Sequence, residues 1–184
     1  MRAHPVKKAL RQKLRERLRG LSRGERRRRS RRIQQKLARR AYFREAATIL
    51  FYASLPEEVD TWALMREALR QGKRVLIPKV RGRQLVPAEV KRLSTGLKRG
   101  AYGIREPQVR IQTVRPSDID LVIVPGLAFD GKGRRLGRGK GYYDRFLKKL
   151  RGRTRVVGLA FRFQRLRRIP VGTEDVSVNE VVCD

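Results

Sequence analysis

Apolar residues recur at every fourth position from Val6 through Leu10 and Leu14 to Leu18. This stripe predicts a helix over residues 5–19, with lysines and arginines covering its other faces and Gly20 as its stop. Ser22 with Glu25 is a capping-box signature that opens a second helix, whose inner face is marked by Ile33, Leu37 and Ala41. The period then changes. Residues 47–53, ATILFYA, form a short apolar run of the kind found in a buried parallel strand, and they lead into a loop with adjacent carboxylates, Glu57 and Glu58. Asp60 or Thr61 caps a helix with Trp62, Met65, Ala68 and Leu69 inward, closed by Gly72. Residues 74–80 give the next strand, completing the strand–helix–strand unit of a parallel sheet.

Residues 81–117 are less regular. Residues 84–93 read as a hairpin or as edge strands, and Gly96, Gly100 and Gly103 punctuate a loop. A third core strand is expected at 119–125 and a fourth at 154–160, with a last short strand at 177–182 and a helix from Tyr142 to about Leu150. The fold expected for 1–184 is a single α/β domain with a mostly parallel central sheet flanked by helices. Residues 1–45 form a basic helical arm packed on it.

Charge changes this picture in one respect. The chain carries 48 basic and 17 acidic residues, a net charge of +31, and 19 of the bases with three of the acids fall in residues 1–45. Residues 170–184 hold four acids and no base. That distribution invites nucleic acid as a partner through phosphate neutralisation, and equally a solvated arginine-rich surface or the attraction of a small anionic substrate. No zinc-finger spacing, heptad zipper or aromatic RNA-binding signature accompanies it.

The residue types that are scarce shorten the list of chemistries. His4 is the only histidine and Cys183 the only cysteine. A Ser-His-Asp or Cys-His mechanism and a His/Cys zinc site are therefore excluded, leaving carboxylates, lysines, arginines, tyrosines and a hard metal. No apolar run approaches the ~18 residues of a membrane helix. The basic start has no apolar segment of a signal peptide. A cytoplasmic protein with no membrane partner is expected.

The chemistry concentrates in 121–147, LVIVPGLAFDGKGRRLGRGKGYYDRFL. A buried strand is followed by five glycines in eleven positions (Gly131, Gly133, Gly137, Gly139 and Gly141), four bases (Arg134, Arg135, Arg138 and Lys140) and the triplet Tyr142-Tyr143-Asp144. Backbone N–H groups and the positive end of the following helix would converge on an anion there. In an open parallel sheet, ligands sit outside the carboxyl ends of the strands. Three loaded loops leave such ends: Glu57-Glu58, the glycine–arginine loop, and residues 161–164. Neither common phosphate motif matches. A Walker A loop would need glycine at Arg134 and Ser or Thr at Gly141, and the dinucleotide fingerprint would need glycine at Tyr142.

What does match is more specific. The chain resembles the 5-formyltetrahydrofolate cyclo-ligase family in Pro125-Gly126-x-Ala128-Phe129-Asp130 and in Gly133-x-Arg135-Leu136-Gly137-x-Gly139-Lys140-Gly141-Tyr142-Tyr143-Asp144. Upstream support comes from Lys7-Lys8-x-Leu10-Arg11, Glu58-Val59-Asp60-Thr61 and Gly103-Ile104-Arg105-Glu106-Pro107. The resemblance implies a NagB/RpiA/CoA-transferase-like fold and a monomer. It implies an ATP- and Mg2+-dependent reaction in which the formyl oxygen of 5-formyltetrahydrofolate attacks the γ-phosphate. N10 then closes on the activated carbon, and phosphate leaves 5,10-methenyltetrahydrofolate.

Carried over by resemblance, Lys7, Lys8 and Arg11 contact ATP phosphates, and Arg135, Leu136, Gly137, Arg138, Gly139, Lys140, Gly141, Tyr142 and Tyr143 form the ATP loop. Arg138 and Lys140 are then the catalytic electrostatic stabilisers. Ala53, Glu58, Tyr142 and Tyr143 hold the folate, and Asp144 and Asp175 the magnesium. Relatives commonly carry an aspartate where this chain has Asn179. The rival reading is a nucleic-acid-binding protein on the same fold, with nucleic acid otherwise a secondary partner.

Overall fold

The computed structural model describes residues 5–94, 97–99, 105–107, 112–150, 152–170 and 172–184. The 103–104 part of the Gly103–Pro107 motif lies outside these residues. Helix α1 (Pro5–Arg19) buries Leu14 and Leu18, while Val6, expected on the same stripe, is exposed because the helix begins beyond the edge of the core. The Ser22 hydroxyl accepts the Glu25 backbone N–H at 3.1 Å, one half of the expected capping box, while the Glu25 carboxylate pairs with Arg29 instead, and α2 (Arg23–Ala38) opens there. Ile33 and Leu37 are fully buried, each worth roughly 1.5–3 kcal/mol of transfer free energy. Ala41 does not continue that face. The chain turns at Arg39-Arg40, and the exposed Ala41 starts a separate short helix, α3 (Ala41–Glu45), whose buried residue is Phe43.

Strand β1 (Thr48–Leu50) leads to α4 (Trp62–Arg70), which buries Leu64, Met65 and Ala68. Its start is held by the Asp60 carboxylate, which accepts the Trp62 N–H at 3.2 Å, and Gly72, at φ +73°, lets the chain leave. Strand β2 (Arg74–Arg81) pairs antiparallel with β3 (Gln84–Glu89), so the irregular region begins with a hairpin at the sheet edge. A separate antiparallel pair, β4 (Leu97–Arg99) with β5 (Arg105–Pro107), follows.

The next core strand is β6 (Leu121–Val124), and it is here that the structure departs most from the sequence pattern. The glycine-rich stretch is not one loop. It contains β7 (Ala128–Asp130) and β8 (Arg135–Leu136), a buried hairpin that joins β10 (Arg165–Leu166) in a small three-stranded sheet. Residues 131–134 are the hairpin turn, and residues 137–141 remain as loop. Helix α5 (Tyr142–Leu147) is six residues long and ends before the expected Leu150. Strands β9 (Arg155–Ala160) and β11 (Glu180–Cys183) complete the main sheet.

The main sheet has the order β11-β9-β6-β1-β2-β3, parallel throughout except for the β2–β3 edge. Alternate residues feed two cores. Ile49, Val75, Leu121, Ile123 and Val157 meet the apolar sides of α1, α2 and α4, and Leu50, Leu76, Val122, Val124 and Val156 meet Phe129, Phe146 and Leu147. The Phe129 ring lies so close to Gly126 and Gly158 that a Cβ on either would come within 2.5 Å of it. Because β2 lies on one side of β1 and β6 on the other, the strand order reverses between β1 and β6, where a crevice opens at their carboxyl ends.

Candidate active site

Two loops border this crevice, one leaving β1 and the other following the β7–β8 hairpin that comes after β6. The first, after β1, is fastened from below. Tyr52 donates its hydroxyl to the Val59 carbonyl at 2.8 Å, and Thr61 donates to the Tyr52 carbonyl at 2.6 Å. Between these ties the chain makes a tight turn in which Glu58 N–H bonds to the Leu55 carbonyl and the Glu58 carboxylate accepts the Leu55 N–H, both at 3.0 Å. The Glu58 carboxyl is thereby aimed inward, with its side chain 14% exposed, and Ala53 earlier in the same loop is buried. Burial pushes its pKa up, against the pull of the Arg138 guanidinium and the Leu55 N–H.

The second loop, 137–141, hangs from β8. Arg135, 7% exposed, donates from Nη2 to Asp144 at 2.7 Å and from Nη1 to the Pro125 carbonyl at 3.3 Å, tying the loop's start to the end of β6 and the helix after the loop. Gly139 and Gly141 hold φ of +103° and +65°, which side-chain-bearing residues rarely adopt. The turn before β8 is locked by Asp130. Its buried carboxylate accepts the N–H groups of Lys132, Arg134 and Ile169 and the Arg134 Nε at 2.6–3.1 Å. Burial works against this charge, but those donors together hold the Asp130 pKa below the usual carboxylate range.

Arg138 joins the two loops. Its Nη2 lies 2.8 Å from Glu57 and 3.0 Å from Glu58, and its Nε donates to Glu58 at 3.2 Å. Burial disfavours its charge, but Glu58 and Glu57 raise its pKa, while the same guanidinium lowers that of Glu57 despite burial.

Helix α1 lies along the other side of the loop. Residues 7, 11 and 15 share one face, one turn apart. Lys7 Nζ pairs with Asp175 at 2.5 Å, Arg11 Nε donates to the Gly137 carbonyl at 2.9 Å, and Arg15 Nη2 reaches the Arg138 carbonyl at 3.5 Å. Arg15, Leu18, Arg19, Glu57 and Arg138 line a recess of about 150 Å³ between helix and loop. Asp175 also accepts the Gly172 N–H at 2.7 Å. Burial would raise its pKa, but Lys7 and that N–H lower it. Val176 N–H donates to Asp144 at 3.3 Å, so the two candidate metal carboxylates belong to adjoining pieces of chain. Asn179 takes no part in this cluster. Its carboxamide oxygen accepts the Val156 N–H at 2.7 Å and pins β11 to β9.

Of the residues singled out from sequence, Lys7, Arg11, Glu58, Arg135, Leu136, Gly137, Arg138, Gly139, Asp144 and Asp175 thus fall within one connected cluster. Lys140 and Gly141 complete the loop, with the Lys140 side chain exposed and its carbonyl accepting from Arg145 Nη2 at 3.1 Å. Lys8 is exposed and turned about 100° around α1 from Lys7. The two tyrosines diverge. Tyr143 lies beside Arg135, whose Cζ is 5.7 Å from the ring centroid, and its hydroxyl pKa is raised by burial and by the Glu58 charge. Tyr142 directs its hydroxyl to the Gly82 carbonyl at 3.4 Å, in the β2–β3 turn. The third loaded loop, 161–164, is a buttress: Gln164, 3% exposed, donates to the Gly126 and Leu127 carbonyls at 2.9 and 3.1 Å. With six residues, α5 contributes little dipole, and the positive field over the loop comes from side chains. Arg15 was not singled out from sequence, although the i+4 spacing from Arg11 pointed to it.

Among the described residues no group of three or more His, Cys, Asp or Glu side chains could cage a metal ion. Asp144 and Asp175, each paired with a base in this structure, are candidates for a different kind of site. Magnesium is commonly held by one or two carboxylates together with substrate phosphates and water.

The chain as a whole is similar to known proteins. The model of the 5-formyltetrahydrofolate cyclo-ligase family matches residues 3–184. The mouse 5-formyltetrahydrofolate cyclo-ligase is 35% identical over 162 residues, covering 82% of this chain and 79% of the mouse protein. The Haemophilus influenzae 5-formyltetrahydrofolate cyclo-ligase is 33% identical over 148 residues, 76% of each chain. The NMR structure of Aquifex aeolicus 5,10-methenyltetrahydrofolate synthetase superimposes with a TM-score of 0.86 at 38% identity, covering 97% of this chain and 89% of that one. The names of these relatives give no support to a nucleic-acid function. The chain belongs to the 5-formyltetrahydrofolate cyclo-ligase family.

Proposed function

We propose that this protein converts 5-formyltetrahydrofolate and ATP to 5,10-methenyltetrahydrofolate, ADP and phosphate. One observation carries the reading: Arg138, from the glycine loop, touches Glu57 and Glu58 from the other loop at 2.8–3.2 Å. A phosphate held by the loop and a pterin held by Glu58 would therefore be neighbours, as transfer of a phosphoryl group to the formyl oxygen requires.

The geometry supports the following roles, which the family resemblance implies. Lys7, Arg11 and the backbone of residues 135–143 hold the ATP phosphates. Arg138 and Lys140 offset the charge on the transferring group, which is the main contribution a protein makes to phosphoryl transfer. Glu58 accepts paired N–H donors of the pterin, and Ala53 and Tyr143 enclose the ring beside it, with Tyr142 at the outer margin. Asp144 and Asp175 are the residues that would hold Mg2+, which supplies further neutralisation of phosphate charge. The described residues contain no helix long and apolar enough to cross a membrane. A cytoplasmic monomer is the form expected.

The test is direct. The purified protein, 5-formyltetrahydrofolate and Mg-ATP are mixed, and the absorbance of the methenyl product is followed beside a reaction without nucleotide. Nucleotide-dependent appearance of the product is expected; no product at any enzyme concentration would sink the proposal.

A further inference from the structure

Helix α2 sorts its bases into two sets. Those flanking its buried stripe have partners: Arg26 donates to the Leu18 and Leu21 carbonyls, Arg29 pairs with Glu25 and Asp184, and Lys36 donates to the Cys183 carbonyl. Those on the outer side, Arg27, Arg28, Arg31 and Arg32, together with Arg39 at the helix's C-cap, are exposed, and none meets an acid among the described residues. Arg27 with Arg31 and Arg28 with Arg32 stand one turn apart, so these four form a compact block with Arg39 beyond it. From Arg27 to Arg39 the stripe runs about 18 Å along the helix.

Like charges at these spacings destabilise a helix, so the stripe is not a stabilising device. Its chemistry is that of guanidinium, whose fork of donors matches phosphate oxygens. A membrane surface fits it poorly, because the apolar side of α2, Ile33 and Leu37, is fully buried in the core and cannot enter lipid. Base stacking fits poorly too, since α2 carries no aromatic residue.

We propose that the outer face of α2 binds the phosphate backbone of a nucleic-acid duplex, without reading sequence and apart from the ligase site. A duplex presents one charge per about 1.7 Å of its axis, so five arginines over that length can each find a phosphate. The surface belongs to this chain's own charge pattern and does not rest on the cyclo-ligase reading.

The test uses the full chain and a labelled RNA duplex of about 20 base pairs, with binding followed by fluorescence anisotropy across a salt series. R27Q/R28Q/R31Q/R32Q keeps good helix formers in α2. It is expected to make the slope of log affinity against log salt shallower by about 3–4. R28Q/R32Q, which alters less of the helix, should give about half that change. A control with the same charge removed elsewhere, R66Q/R81Q/K91Q/R92Q, should shift the slope by less than about 1. Turnover of all three variants should match that of the parent. Equal losses in the α2 and control variants would reduce the effect to net charge and overturn the proposal. So would binding to anionic vesicles without binding to the duplex, or equal affinity for the separated single strand.

Discussion

Replacing Gly139 by alanine isolates the backbone demand of the nucleotide loop. The added Cβ would sit 3.6–3.8 Å from the Arg11 guanidinium, an ordinary contact, so space is not the obstacle. The obstacle is torsional: φ is +103°, beyond the left-handed region near about +57° that L-residues tolerate best. Holding alanine there costs about 2–3 kcal/mol. A five-residue loop will shed part of that strain by moving, which displaces the Gly137 carbonyl from Arg11 and Arg138 from the carboxylates. The expected result is a KM for ATP at least about tenfold higher and kcat/KM down roughly 10–100-fold, since about 1.4 kcal/mol is a factor of ten. Because movement relieves the strain, the thermal midpoint should fall by no more than about 8 °C, at roughly 2–4 °C per kcal/mol for a chain of this length. Gly24, inside α2 with nothing within 4 Å of an added Cβ, is the matched control. Gly24→Ala should gain about 0.5–1 kcal/mol and leave the kinetics alone. If Gly139→Ala keeps the parental KM for ATP, the claim that this loop needs a positive φ is wrong.

Other outcomes follow from the same geometry. Glu58→Gln should lower kcat/KM for the folate by about 30–100-fold, the loss of a charge-assisted pair of hydrogen bonds. Its melting midpoint near neutral pH should nevertheless equal or exceed the parent's. Burial raises the Glu58 pKa, so the ionised carboxylate is a cost to the fold that grows as pH rises, and a lower midpoint would contradict this. Lys140→Ala, at an exposed position, should cut kcat by about 10²–10³ while the melting curve stays in place; parental turnover would remove this residue from the mechanism. Asp130 has its pKa lowered in the fold, so the stability it adds is present above its unfolded value of about 3.9 and is lost as pH falls through the folded one. Asp130→Asn should cost about 2–3 kcal/mol at neutral pH and flatten the acid limb of stability against pH in urea titrations; an unchanged acid limb would refute the assignment.

The parallel sheet was legible because its strands centre on short apolar runs separated by helical periods, and the Ser22–Glu25 spacing marked the start of α2 to the residue. The site was legible where function concentrates unusual residues: glycines, bases and an acid in one segment, and paired carboxylates after β1. What escaped is long-range. Nothing local in Ala128–Asp130 or Arg135–Leu136 announces strands, because they are two or three residues long, and β7, on which β8 pairs, is flanked on its other side by β10, far along the chain. Val6 fits the apolar period yet lies past the edge of the core, and Ala41 fits the α2 period yet follows a turn that α3 needs to seat Phe43. The pairing of Arg138 with Glu57 joins positions 81 residues apart and follows from the fold alone.

The ion pair between Lys7 and Asp175 joins positions separated by 168 residues. Closing a loop of that length costs about 4–5 kcal/mol of chain entropy, which this one contact does not repay and the whole packed sheet must. The nucleotide side of the crevice is therefore expected to be assembled last and to come apart first. Catalytic competence becomes a sensor of the integrity of the entire chain: slight loosening at α1 or around Asp175 separates base from carboxylate while β1, β6 and β9 remain packed. Heat inactivation should accordingly run ahead of the melting of the sheet, and bound nucleotide, by bridging the two distant segments, should bring the two transitions together.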